Sequence, residues 1–164
     1  MFFRKLKTLV VAALLALCVS TVPTMQESAH AQANSGSCAL IRGSFTGTLT
    51  GYASPPTGTV QYRVDTACRV TLWLTTAITG TSNATAMTMT GIPYNISPNA
   101  AIVASQTMPT VVQDNGAFTV GCFQISVALP AVVTFSNSGA CAGAMTGAAA
   151  KGLPAGWTVT YNLY

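Results

Sequence analysis

The sequence predicts an all-β domain, an antiparallel β-sandwich or jelly roll of about eight to ten short strands. Half of the residues are hydrophobic and only 6% are charged, which excludes a disordered chain and a long, charged surface helix. Threonine and glycine are abundant and glutamate occurs once, at Glu27, which favours strands and turns over helices. Apolar and polar residues also alternate in short stretches between turn signals, as half-buried antiparallel strands do.

In the N-terminal half of the domain, four stretches alternate clearly enough to predict strands. Phe45 and Leu49 share one side of the first stretch, and prolines then interrupt the chain because proline cannot donate to a strand ladder. In the third stretch, Val70 and Leu72 are predicted to point inward and Trp73 outward. The predicted strands are 44–50, 60–64, 69–77 and 85–90, with a loop at 79–83.

The C-terminal half is predicted to hold shorter strands and a long loop. The turn sequence Asp114-Asn115-Gly116 predicts a hairpin, and Pro130 separates two further strands. The loop is rich in glycine, alanine and serine, whereas the last residues alternate up to Tyr164. The predicted strands are 100–104, 111–112, 117–120, 122–129, 132–135 and 157–164, and the predicted loop is 136–156.

Residues 1–33 are predicted to be a bacterial signal peptide. Three positive charges in the first seven residues precede the uncharged apolar run Leu9–Val19, which is shorter than the about 20 residues that a membrane span needs. Small residues favour cleavage after Ala31 or Ala33. We therefore expect a single β-sandwich domain at 34–164 that is exported to the periplasm, the cell surface or the medium, with no membrane span after cleavage.

The cysteines predict two disulfides. Cys18 offers the alternative of a lipid-anchored cysteine, and four cysteines follow it in the predicted mature chain. An even number of cysteines in an exported chain favours disulfides. Of the three pairings, the sequential one closes moderate loops, and each bridge would stabilise the fold by about 3–4 kcal/mol. The sequential pairs are Cys38–Cys68 and Cys122–Cys141.

The predicted mature chain lacks the residues that most catalytic and metal sites need. It contains no histidine and no glutamate, so imidazole-dependent nucleophilic catalysis and common zinc sites are excluded. Glycine-rich phosphate loops are absent from the sequence, and the basic residues are spread along the chain without the cluster that nucleic-acid binding requires. We expect no cofactor, no metal and no nucleic-acid partner.

One enzymatic alternative remains, a secreted hydrolase that uses Asp65 and Asp114 as a paired acid and base. A turn and an ion pair explain the same residues. Asp114 begins an Asp-Asn-Gly turn, and Asp65 has Arg63 and Arg69 nearby in sequence. The sequence therefore favours a protein that is not an enzyme.

The segment 58–98 contains four features in a distinctive order. Tyr62 lies in one strand, an alternating strand contains Trp73, a Gly/Thr/Ser loop follows, and the next strand ends in Gly91-Ile92-Pro93-Tyr94. In this order the segment resembles the C-terminal head domains of phage tail fibres, and the alternating C-terminal strand also fits that family. The resemblance implies a jelly-roll module that forms a homotrimer and binds cell-surface glycans or receptors, here in an exported, disulfide-containing bacterial setting.

The preferred hypothesis is a non-enzymatic binding or adhesion module that acts at a cell surface through loops and exposed aromatic residues. Trp73, Tyr94 and Trp157 are the candidate ligand contacts, since exposed aromatic rings are common platforms for sugars. The alternative is a structural subunit of a coat or pilus-like surface assembly, joined by pairing of strand edges.

Overall fold

The computed structural model describes residues 38–100 and 104–164, which form one antiparallel sheet of ten strands. The predicted signal peptide lies outside the described residues, as does the middle of the strand predicted at 100–104. One short 3-10 helix, Tyr94–Ile96, accompanies the strands. The strands are β1 (Ile41–Thr50), β2 (Thr57–Val64), β3 (Arg69–Trp73), β4 (Ile78–Thr81), β5 (Met87–Thr90), β6 (Gln106–Asp114), β7 (Ala117–Ile125), β8 (Val133–Ser136), β9 (Ala150–Leu153) and β10 (Thr158–Asn162).

The sheet is strongly curled, and contacts between strands that are far apart in the strand order show this. The order is β10-β3-β2-β1-β5-β8-β7-β6-β9-β4. The side-chain amide of Gln106 on β6 donates to the carbonyl of Asn162 on β10 at 2.6 Å and accepts from its N–H at 2.8 Å. Ser82, just after β4, forms a bridge with Tyr52, just after β1. The all-β, antiparallel prediction is therefore confirmed.

The core is built by the alternation that the sequence shows. In β2 and β3 the inward residues are buried and their neighbours are not. The centre holds an aromatic cluster in which Phe123 lies 6.0 Å from Phe135 and from Tyr161, and 6.1 Å from Trp157, between ring centroids. The buried hydroxyl of Tyr161 donates to the carbonyl of Ile96 at 2.6 Å, which satisfies the polar atom of the cluster.

The hairpin predicted around Asp-Asn-Gly is confirmed and joins β6 to β7. Asp114 pairs with Ala117, which leaves a two-residue loop. Asn115 and Gly116 have φ angles of 52° and 80°, the left-handed backbone that tight hairpin turns need and that asparagine and glycine tolerate.

Two predicted loops contain strands instead. The loop predicted at 79–83 overlaps β4, and the loop predicted at 136–156 contains β9. These two short strands pair with each other, from Ile78 opposite Leu153 to Thr81 opposite Ala150. They form because each segment supplies the backbone hydrogen bonds of the other. The sequence did not reveal them, since these glycine-containing strands show no alternation of apolar and polar residues. The strand predicted at 69–77 is shorter than predicted, and the one predicted at 111–112 is part of the longer β6. The strands predicted at 117–120 and 122–129 form one strand, β7, which ends at Ile125.

Both disulfides have the sequential pairing. Cys38 is bonded to Cys68 and Cys122 to Cys141, each with a Cα–Cα distance of 5.0 Å. The first ties the segment before β1 to the turn before β3, and the second ties β7 to the loop between β8 and β9. Two disulfides are typical of an oxidising, extracellular environment. Within the described residues, no helix is both long and apolar enough to cross a membrane.

Candidate functional site

Trp73 lies on the outer face of the sheet, as the alternation of β3 predicts. Its neighbours Leu72 and Leu74 are buried, whereas the indole of Trp73 is half-buried. The residues directly opposite Trp73 are Gln61 of β2 and Thr158 of β10. A large aromatic ring is therefore presented at the end of β3, between β2 and β10, the first strand in the sheet order.

Two arginines lie in the neighbouring row of the same face. Arg42 of β1 is directly opposite Arg63 of β2, and Arg63 is opposite Thr71 of β3. Residues opposite each other in antiparallel strands point to the same face, with Cα atoms about 4.5–5.5 Å apart. Both arginine side chains are exposed. The register therefore brings together two positive charges that lie 21 positions apart in the chain.

A groove of about 280 Å³ opens between these side chains, lined by Arg42, Arg63, Thr71 and Trp73. We call it the arginine–tryptophan groove. It offers an aromatic surface for stacking, two planar guanidinium groups for charge-assisted hydrogen bonds, and the hydroxyl of Thr71, which shares a hydrogen bond of 3.1 Å with Thr160. Its volume is close to the lower bound of ordinary ligand pockets, which suits part of an elongated ligand.

The third exposed arginine of this sheet, Arg69, has an acidic partner. Its guanidinium contacts the Asp65 carboxylate at 3.0 Å. That carboxylate also accepts hydrogen bonds of 2.9 Å from the backbone N–H groups of Ala67 and Arg69. These bonds, above all the backbone N–H of Arg69, lower the pKa of Asp65. Asp65 thus closes a turn and neutralises Arg69.

Asp114 is also held by local partners, at the other end of the sheet. Its carboxylate accepts hydrogen bonds from the side-chain amide of Asn137 at 3.0 Å and from the backbone N–H of Thr146 at 2.9 Å. The carbonyl of Thr146 accepts from Ser82, which bridges to the chain just after β1. Asp65 follows β2 and so lies near the start of β1, whereas these contacts place Asp114 near the end of β1. The ten extended residues of β1 between the two positions span about 30 Å. The geometry does not bring the two carboxylates together as an acid and base pair.

The other two aromatic candidates lie elsewhere. Tyr94, in the 3-10 helix after β5, is 49% exposed. Trp157 is only 3% exposed, and its ring packs 6.1 Å from Phe123 and from Phe135. Trp157 therefore belongs to the core, and Trp73 is the candidate contact that lines the arginine–tryptophan groove.

A second groove, of about 470 Å³, lies between β6 and the turn that precedes β10. Thr110 and Trp157 both line it. The Thr110 hydroxyl and the Trp157 indole N–H are buried and have no hydrogen-bond partner within the described part of the chain. Unpaired buried polar atoms are uncommon in folded proteins.

The sequence reasoning missed Arg42 and Arg63 as site residues. Each lies at an outward position of an alternating stretch, which is a signal that the sequence does carry. Their pairing depends on the register between β1 and β2, which neither stretch reveals alone.

Neither the arrangement of metal-binding residues nor the comparison with known proteins indicates a function. Among the described residues, no group of three or more His, Cys, Asp and Glu side chains could hold a metal ion. A scan against protein-family models finds no family that matches the chain, and a search of curated proteins finds no match.

Proposed function

We propose that the protein is an exported, non-enzymatic binding module that acts at a cell surface through the arginine–tryptophan groove. The observation that carries this proposal is the half-buried indole of Trp73 beside two exposed arginines on an open sheet face. Exposed aromatic rings and guanidinium groups are the side chains that contribute most to binding energy at protein surfaces. Strands fix the backbone positions of these side chains, so no loop has to be ordered when a ligand binds.

The proposal extends to the finer fold and the assembly. The curled sheet is a β-sandwich or jelly roll similar to the head domains of phage tail fibres, and the mature domain begins after a cleaved signal peptide. The resemblance around Tyr62, Trp73 and Tyr94 supports a glycan or a cell-surface receptor as the ligand, and a homotrimer as the assembly. Two disulfides support an extracytoplasmic location.

A glycan array probed with the mature protein tests this function. Binding by the wild-type protein should weaken about tenfold in Trp73→Ala, because the stacking surface is lost. Phe118→Ala is the matched control, since Phe118 is a 66% exposed aromatic residue outside the groove. The mass of each variant in solution is measured as well, so that a loss of avidity is not mistaken for a loss of contact. An array without any bound glycan, or equal binding by Trp73→Ala, contradicts the proposal.

A second candidate function is a subunit of a surface assembly. The outer face of the β6–β7 hairpin exposes Val111, Phe118 and Val120 by 46%, 66% and 63%, and Val111 lies opposite Val120. Adjacent exposed apolar side chains are typical of protein contacts. Light scattering separates the candidates: open polymers that dissociate in Phe118→Ala favour the subunit, and a discrete trimer favours the head-like module.

A further inference from the structure

We infer that the ligand of the arginine–tryptophan groove is an acidic glycan, a sugar chain that carries carboxylate or sulfate groups. This inference rests on the proposed binding function and names the class of ligand. It is drawn from where the charges of the folded chain remain unpaired, from the register of the two arginines, and from their spacing relative to Trp73.

The unpaired positive charge of the described residues is concentrated at the groove. These residues include four cations and two carboxylates, a net charge of 4 − 2 = +2. Arg69 is neutralised by Asp65. Lys151 is buried, donates to the carbonyls of Ala84 and Ala86, and interacts with the charge of Asp114. The two remaining cations form no ion pair within residues 38–100 and 104–164, and they are Arg42 and Arg63.

The register makes this pair of charges unfavourable when the groove holds no anion. Arg42 and Arg63 are directly opposite each other, and like charges in that arrangement destabilise a sheet. An anion bound between them removes the repulsion. Guanidinium groups match the planar, bidentate geometry of carboxylate and the oxygens of sulfate, so the pair is suited to a charged group on the ligand.

Trp73 adds a requirement that a simple anion does not meet. Gln61 lies opposite Trp73, two residues along β2 from Arg63, which is a step of about 7 Å. A sugar ring stacked on the indole can therefore place its own charged substituent, or that of the next ring, at the arginines. A neutral sugar would leave the arginine pair uncompensated, and a polyanion without rings would leave the indole unused.

Titration calorimetry with four probes tests the inference on the full mature protein. The probes are an oligogalacturonate, which carries carboxylates, a carrageenan oligosaccharide, which carries sulfates and no carboxylate, the methyl-esterified oligogalacturonate, which is neutral, and poly-L-glutamate, which has no sugar rings. The variants are Arg42→Gln, Arg63→Gln and Trp73→Ala. Arg69→Gln is the control, because Arg69 is exposed on the same sheet but already paired with Asp65.

At least one acidic oligosaccharide should bind, and the neutral methyl-esterified oligogalacturonate should bind at least about tenfold more weakly than that oligosaccharide. Arg42→Gln and Arg63→Gln should each cost a similar factor, and Arg69→Gln much less. Raising NaCl from about 0.1 M to about 1 M should weaken binding, because the screening length falls from about 10 Å to about 3 Å. Which acidic probe binds more tightly distinguishes carboxylate from sulfate as the source of the charge.

Three results would overturn the inference. If neutral glycans bind and Trp73→Ala alone removes binding, the binding function stands and the acidic class is wrong. If poly-L-glutamate binds as tightly as the acidic sugars and Trp73→Ala has no effect, the groove is a general anion site and the inference fails. If neither acidic oligosaccharide binds, the inference also fails, while the glycan array decides separately whether the binding function survives.

Discussion

Lys151 on β9 is fully buried, with 0% of its side chain exposed. Its Nζ donates to the carbonyls of Ala84 and Ala86 at 2.6 and 2.8 Å and lies 5.0 Å from the centre of the Tyr52 ring. Burial lowers the pKa of Lys151, and the charge of Asp114 opposes that shift. The ammonium group of Lys151 thus connects β9 to the segment before β5 through two hydrogen bonds.

Removal of this ammonium group should destabilise the fold. Lys151→Met fits the space but leaves two carbonyls without donors, so the free energy of unfolding should fall by about 2–4 kcal/mol. Urea unfolding monitored by tryptophan fluorescence measures the change. Arg63→Met, at an exposed cation, is the control, and it should keep or slightly raise the stability because it also removes the repulsion from Arg42. If Lys151→Met is as stable as the wild-type protein, the hydrogen bonds of Lys151 contribute no net stability.

Tyr161 predicts how stability depends on alkaline pH. Burial raises the pKa of Tyr161 above its ordinary value, which is about 10 in the unfolded chain. Above that pH the unfolded chain has lost this proton and the folded chain retains it, so stability is fully present below about pH 10 and falls as pH rises further. Burial also raises the pKa of Tyr52, so a second phenol acts in the same direction.

Tyr161→Phe should make this alkaline loss of stability shallower, by up to about 1.4 kcal/mol per pH unit, because one linked proton is removed. At neutral pH the variant should be about 1 kcal/mol less stable, since the hydrogen bond to Ile96 is lost. Urea midpoints measured from neutral to alkaline pH test both statements. An unchanged slope above pH 10 would show that Tyr161 ionises as easily in the folded protein as in the unfolded chain.

At the scale of elements, the β4–β9 pair is where sequence reasoning fell short. The strands β1, β2 and β3 alternate, so their faces could be predicted. The short β4 and β9 contain Gly80 and Gly152 and bury a lysine in place of an apolar residue, so no apolar period marks them. Their existence depends on a partner about 70 residues away in the chain, which a local pattern does not encode.

Gly152 is the residue that lets β9 approach β4. Its φ angle is 154°, and a Cβ atom there would meet the backbone carbonyl of Ile78. Gly152→Ala should therefore lower the free energy of unfolding by about 2–4 kcal/mol, since backbone must move to admit the methyl group. Gly147→Ala is the control, because its nearest neighbour would be at an ordinary distance of 3.6 Å.

Amide hydrogen exchange shows where the effect of Gly152→Ala lies. Loss of protection in β4 and β9, with β1 to β3 still protected, is the expected result. Equal stability of Gly152→Ala and Gly147→Ala would contradict the close approach of the two strands.

At the scale of the whole molecule, the candidate site is partly readable from the sequence. The outward position of Trp73 follows from the alternation of β3. For the four cysteines the sequence allowed three pairings, and the sequential one is present in the structure. The sequence could not predict that the unpaired positive charge lies at the arginine–tryptophan groove, because the arginines are spread along the chain. Only the register of β1 against β2 places Arg42 opposite Arg63, and only the fold shows that Asp65 pairs with Arg69 and leaves Arg63 without an ion pair among the described residues.

The central claim, that ligands contact Trp73 on the outer face, is tested most directly by single-tryptophan fluorescence. The chain has two tryptophans, so Trp157→Phe leaves Trp73 as the reporter and Trp73→Phe leaves the buried Trp157. Acrylamide quenching is measured with and without a saturating acidic oligosaccharide selected from the array. We predict that the ligand protects Trp73 from quenching and leaves Trp157 unchanged. Calorimetrically proven binding to Trp157→Phe with no change in the quenching of Trp73 would contradict the claim.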